Sequence, residues 1–159
     1  MTACSGIFDI NSDEAFFHSL QRTASKLRLS KVKNTNELLY LLMGVNHLRD
    51  WIAPGFRWDK QKPPQKPEEI FGVSIFGIAE FKVVNAVCNR SKHMGDIQYQ
   101  LETEYGAKLD DYPEIDSVHD FDNGPPVNYY VEGRNLLDII DVILNYYETN
   151  WYCRSESNC

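Results

Sequence analysis

The chain lacks any uninterrupted apolar run of the roughly 18 to 20 residues that a membrane-crossing helix requires, so no membrane span is expected. It also lacks paired cysteines. Cys4, Cys88, Cys153 and Cys159 include no CxxC pair, and two of them, Cys4 and Cys159, lie in ends expected to be mobile, which disfavours a disulfide framework or a structural zinc site. Residues 1–10 hold neither a basic stretch nor a long apolar core, so no secretory or transit signal is expected and the chain is assigned to the cytoplasm, with free thiols. Positive charge is in short supply, with 16 Lys and Arg against 23 Asp and Glu for a formal net charge of -7. That balance opposes a broad, sequence-independent grip on a phosphate backbone, which depends on clustered cations releasing counterions. Finally, there is no P-loop glycine-lysine motif and no GxGxxG, GxSxG or HExxH string, so nucleotide hydrolysis and zinc proteolysis have no support.

What is present suffices for a core. With 43% hydrophobic and 13% aromatic residues the 159-residue chain is too apolar to be disordered. A single domain of this size buries about 70% of the surface its unfolded chain exposes. One domain over residues 1–159 is expected, with 1–10 and 154–159 as flexible ends.

Asn11 or Ser12 followed by Asp13 and Glu14 marks a first helix, whose inner face is Phe16, Leu20, Thr23 and Leu27. Asn34 and Glu37 resemble a capping box ahead of a second helix, with Leu38, Leu41, Leu42, Val45, Leu48 and Ile52 on one face and Pro54-Gly55 as its stop. Four of the seven prolines fall in residues 54–67 and predict an extended connection. Helix resumes near Pro67, and Ile78, Phe81, Val84, Val87 and Cys88 supply an apolar face up to Met94. Alternation at Ile97, Tyr99 and Leu101, and again at Val127, Tyr129 and Val131, predicts a small antiparallel hairpin around an acidic loop. A last helix over about 134–151 turns Leu137, Ile140, Leu144, Tyr147 and Trp151 inward. The expected class is mainly α, about four helices in a bundle with a small hairpin before the last helix.

Two polar strings stand at the ends of otherwise apolar helices: Asn46-His47-Leu48-Arg49-Asp50-Trp51 and Cys88-Asn89-Arg90-Ser91-Lys92-His93. His47 and Asp50 are three residues apart, so the carboxylate can orient the imidazole. Asn85, Asn89 and His93 recur at every fourth position as a polar ridge. Should the ridge face His47, the cluster can bind an anion or cleave RNA, with His47 and His93 as general acid and base and Arg90 stabilising a pentacovalent phosphate. Arg49, Asp50, Asn85, Asn89 and Lys92 are the accompanying binding candidates. The plainer alternative is that His47 is a half-buried packing residue, Arg49 an ion-pair donor and the ridge a solvated stripe. His47, Asp50, His93 and His119 have metal-ligand chemistry, but no spacing selects them, and no metal or cofactor is expected.

The same two strings resemble a loose family of uncharacterised small helical proteins of bacteria and their phages, over roughly residues 36–151. That resemblance implies a helical fold and no particular activity. More distantly the chain resembles HEPN-type bundles, many of them ribonucleases or toxin components acting as dimers. Their nucleases carry an Arg and a His separated by about four to six residues, whereas only two residues separate Arg90 from His93. Two functions therefore stand side by side. One is a protein-binding module, of phage or mobile-element origin, acting through its bundle surface or acidic β region. The other is a metal-independent endoribonuclease using His47, Arg90 and His93. The expected partner is another protein or a second copy of the chain in a homodimer, with RNA as the alternative.

Overall fold

In the computed structural model of the protein the described residues are 10–57, 62–93, 99–106 and 124–153, with the backbone alone for 90–93. Cys4, Lys60, Ile97, His119, Cys159 and most of the acidic loop lie outside them.

Ser12 is extended, and its hydroxyl accepts from the Ala15 amide at 3.0 Å, which starts α1 (Asp13–Leu29). Phe16, Phe17, Leu20, Ala24 and Leu27 are buried along one side. Asn34 caps α2 (Thr35–Ile52) by accepting from the amides of Asn36 and Glu37, both at 3.0 Å. The expected capping box is replaced on its other half, because the Glu37 carboxylate pairs with Lys26 of α1. The two helices approach closely at Gly44. A Cβ there would run into Leu20 Cδ2 and sit 3.3 Å from Phe16 Cζ, so the helix carries a residue that costs about 1 kcal/mol of propensity in exchange for close packing.

The apolar run after residue 66 is two helices rather than one. α3 (Pro67–Phe76) and α4 (Ala79–His93) are bent by 84° about Gly77 and Ile78. α3 begins with proline at its first turn, and the Glu69 carboxylate accepts from the amides of Gln65 at 2.8 Å and Lys66 at 3.2 Å. Those bonds hold its pKa below the usual carboxylate range.

The expected hairpin is present and gains a third, short strand. β1 (Leu101–Tyr105) runs antiparallel to β2 (Pro126–Val131), with Leu101 opposite Val131, and β2 pairs with β3 (Arg134–Asn135). The turn between β2 and β3 is Glu132-Gly133, with φ of 50° and 74°, the mirror-image turn that suits the strand twist. Asn135, assigned from sequence to the last helix, instead ends β3 and caps α5 (Leu136–Asn150) by accepting from the Leu137 amide at 2.9 Å.

The core lies where α5 packs against α1, α2, α3 and α4. Leu42, Val45, Leu48, Val84, Val87, Ile140 and Leu144, expected at its centre, are all buried. Tyr147 is fully buried among them, and its hydroxyl donates to the Val45 carbonyl at 3.1 Å. The architecture is thus mainly α with a small antiparallel sheet. No single helix among the described residues is long and apolar enough to cross a membrane.

Candidate functional site

α2 and α4 pack side by side, and a run of amides marks the seam. Asn46 is only 5% exposed. Its side-chain Oδ1 accepts from Asn85 Nδ2 at 2.9 Å, and Asn85 Oδ1 in turn accepts from Asn89 Nδ2 at 3.2 Å. The ridge foreseen on α4 therefore meets α2 at the residue before His47. At that point it works as an interhelix bond, since a buried amide left without a partner costs about 1 to 3 kcal/mol. Cys88 is buried next to it, with Sγ 3.4 Å from the Leu42 carbonyl, as expected of a small core residue.

His47 and Asp50 share a face. Their Nδ1 and Oδ2 atoms are 3.1 Å apart, and both side chains are partly open to solvent, at 38% and 44%. The geometry follows from helix pitch. With Leu48 pointing inward and about 100° of turn per residue, His47 and Asp50 fall within one wedge on the outer side. Arg49 is turned elsewhere. Its guanidinium carbon lies 5.0 Å from the centre of the Phe76 ring and 5.2 Å from that of Phe81. Burial lowers its pKa, opposed by the charge of Asp50.

The structure thus brings His47 to Asp50 and Asn85 to Asn89, and sends Arg49 to the junction of α3 and α4. Arg90, Lys92 and His93 are on the last turns of α4, and their side chains lie outside the described residues. Among the described residues no group of three or more His, Cys, Asp and Glu is arranged to hold a metal ion.

Four cations lie close together in the chain, Lys26, Arg28, Lys31 and Lys33, and folding disperses them. Lys26 pairs with Glu37, Arg28 bonds Asp138 at 3.0 Å and also pairs with Asp141, and Lys33 is 8% exposed with its ammonium donating to the Ser30 carbonyl. Burial pulls the Lys33 pKa down. Three of the four cations are thereby committed to internal contacts, which leaves little of the cluster for phosphate.

A second feature has no counterpart in the sequence reading. A groove of about 750 Å³ opens where the start of α1, α3 and the end of α5 converge. Phe71, Tyr146, Trp151 and Tyr152 line it, with Asp13 and Glu14 at one side. The rings brace one another: Phe71 lies 5.3 Å from Trp151 and 6.0 Å from Tyr146, and Tyr152 stacks on Phe17 at 4.4 Å. The Tyr152 hydroxyl donates to Asp13 at 3.2 Å, while burial and then the charge of Asp13 raise its pKa. Asp13 and Glu14 are legible in sequence as first-turn acids and Tyr146 to Tyr152 as an aromatic cluster. Their meeting across more than 130 residues is not. No protein-family model, curated protein or solved structure matches the chain.

Proposed function

We propose that the chain is a protein-binding module that acts through its helical surface. The observation that carries this reading is the outer face of α3. Ile70, Val73 and Phe76 recur every three residues and are 53%, 48% and 40% exposed. A helix of ten residues whose only charges are Glu68 and Glu69 thus offers an apolar stripe to solvent, and contiguous exposed apolar surface marks interaction sites. Supporting it, described polar residues of the two strings and of the α4 ridge make contacts within the chain. Asn46, Asn85 and Asn89 bond to one another, and Arg49 lies over Phe76 and Phe81.

Val73→Glu is the direct test, because an exposed position away from caps and buried networks changes stability by only about 0.5 kcal/mol. Wild-type chain used as bait in its native host is expected to capture a partner that the variant loses. In parallel, light scattering at tens of micromolar is expected to show the wild type as a two-fold dimer and the variant as a monomer, should the partner be a second copy. Equal capture by both forms, with identical scattering, rules out the α3 face.

The endoribonuclease reading keeps one observation in its favour, the 3.1 Å pairing of His47 with Asp50, in which the carboxylate fixes the ring of a general base. On that reading the double change His47→Ala with His93→Ala lowers RNA cleavage by about 10² to 10⁴-fold and leaves helicity intact. Wild-type protein that cleaves no cellular RNA, with or without divalent metal, ends it.

A further inference from the structure

We infer that the groove between α1, α3 and α5 is a docking site for an arginine-bearing peptide segment of a partner protein. The inference rests on the binding-module reading and names the chemistry of the partner. Three properties of the groove converge on a cation carried by a peptide.

The first is charge. Among the described residues that line the groove, Asp13 and Glu14 supply carboxylates and no Lys, Arg or His is present. They stand at the N-terminus of α1, and α3 begins at Pro67 on the same groove, so the exposed amides of two helix ends contribute positive potential. Each helix end is equivalent to roughly half an elementary charge, and the two carboxylates outweigh it locally. Asp13 receives one hydrogen bond from Tyr152, and Glu14 has the His18 ring 3.9 Å away. A carboxylate offers about four acceptor positions, so both keep capacity for a donor.

The second is the floor. Phe71, Tyr146, Trp151 and Tyr152 present aromatic surface beside those acids, and aromatic faces attract cations most strongly where water is thinned. Guanidinium suits both halves of this lining, because it stacks flat on a ring and bonds a carboxylate through two parallel N–H groups, which ammonium does not.

The third is size and continuity. At about 750 Å³ the groove exceeds one side chain, and Ile70, which lines it, begins the exposed stripe that runs on to Val73. A peptide that seats an arginine over Trp151 lays its neighbouring apolar residues along that stripe.

The experiment uses a fluorescein-labelled peptide alternating arginine with leucine, titrated with the full chain and read by anisotropy. Saturable binding is expected. It should weaken by at least about tenfold in Asp13→Asn/Glu14→Gln and likewise in Ile70→Lys, a change at an exposed position that folding tolerates. Glu102→Gln/Glu132→Gln removes the same charge from the sheet and should leave the affinity unchanged. The same peptide with citrulline for arginine should not bind. Circular dichroism and melting confirm that each variant is folded.

Equal weakening by the two carboxylate pairs would show general charge attraction and overturn the site. Equal binding of the citrulline peptide would overturn the cation, and free arginine amide binding as tightly as the peptide would replace the peptide with a small cation. Should the peptide fail while Val73-dependent capture persists, the groove falls alone. Failure of both removes the binding-module reading as well.

Discussion

Replacing Leu48 with alanine is expected to destabilise the chain by about 2 to 5 kcal/mol, measured by denaturant unfolding at an unchanged m-value. Leu48 is 0% exposed and belongs to the main core cluster, so the change removes buried methyl groups and leaves a cavity that the surrounding helices close only in part. The prediction also bears on the site. Leu48 pointing inward is what sets His47 and Asp50 on the outer face and sends Arg49 toward Phe76 and Phe81. A loss well below 1 kcal/mol would mean that α2 is rotated from this position, and the His47–Asp50 pairing would go with it.

The inward face of α2 was legible because four leucines, one valine and one isoleucine repeat at helical spacing between a strong cap, Asn34, and a stop at Pro54-Gly55. The same logic gave α1 and α5, whose outward Asp138, Asp141, Asn145 and Glu148 are all exposed. It did not separate α3 from α4. Both sides of Gly77 are apolar, and α3 carries no charge after Glu69, so no change of polar face announces the 84° bend. β3 was equally hidden. Two residues hold no alternation, and Arg134 and Asn135 precede a helical pattern that absorbs them.

The candidate site was legible only where it is local. His47 and Asp50 are one helical turn apart, and spacing alone brings them together. The bond from Asn85 to Asn46 joins two helices, and sequence could mark the α4 ridge as polar without naming what it meets. The groove required still more. Asp13, Phe71 and Trp151 come from three elements whose order in the chain carries no period, and the acids in the first turn of α1 already had a sufficient local explanation in the helix dipole. Long-range contacts of this kind are set by how the core closes. Tyr147, bonded through its hydroxyl to Val45, anchors the end of α5 that brings Trp151 and Tyr152 to the start of α1.

Phe81→Ala should be the most damaging single change considered, at about 3 to 5 kcal/mol, because the ring is fully buried and serves two contacts at once. It meets Phe76 edge to face across the α3–α4 bend, with ring centres 5.9 Å apart, and its ring centre lies 5.2 Å from the guanidinium carbon of Arg49. Phe81→Leu separates these contributions. Leucine keeps most of the apolar volume, so the packing loss should stay under about 1.5 kcal/mol, whereas the cation–ring attraction, about 0.5 to 2 kcal/mol at a partly desolvated site, disappears in full. Adding Arg49→Met to each variant then isolates the pair, since in the leucine background the arginine no longer has this ring to lose. A coupling of about 0.5 kcal/mol or more between Arg49 and Phe81 supports the stacked arrangement that holds α2 against the bend. Zero coupling, together with a Phe81→Ala loss under 1 kcal/mol, would show that the α3–α4 junction is not packed as described.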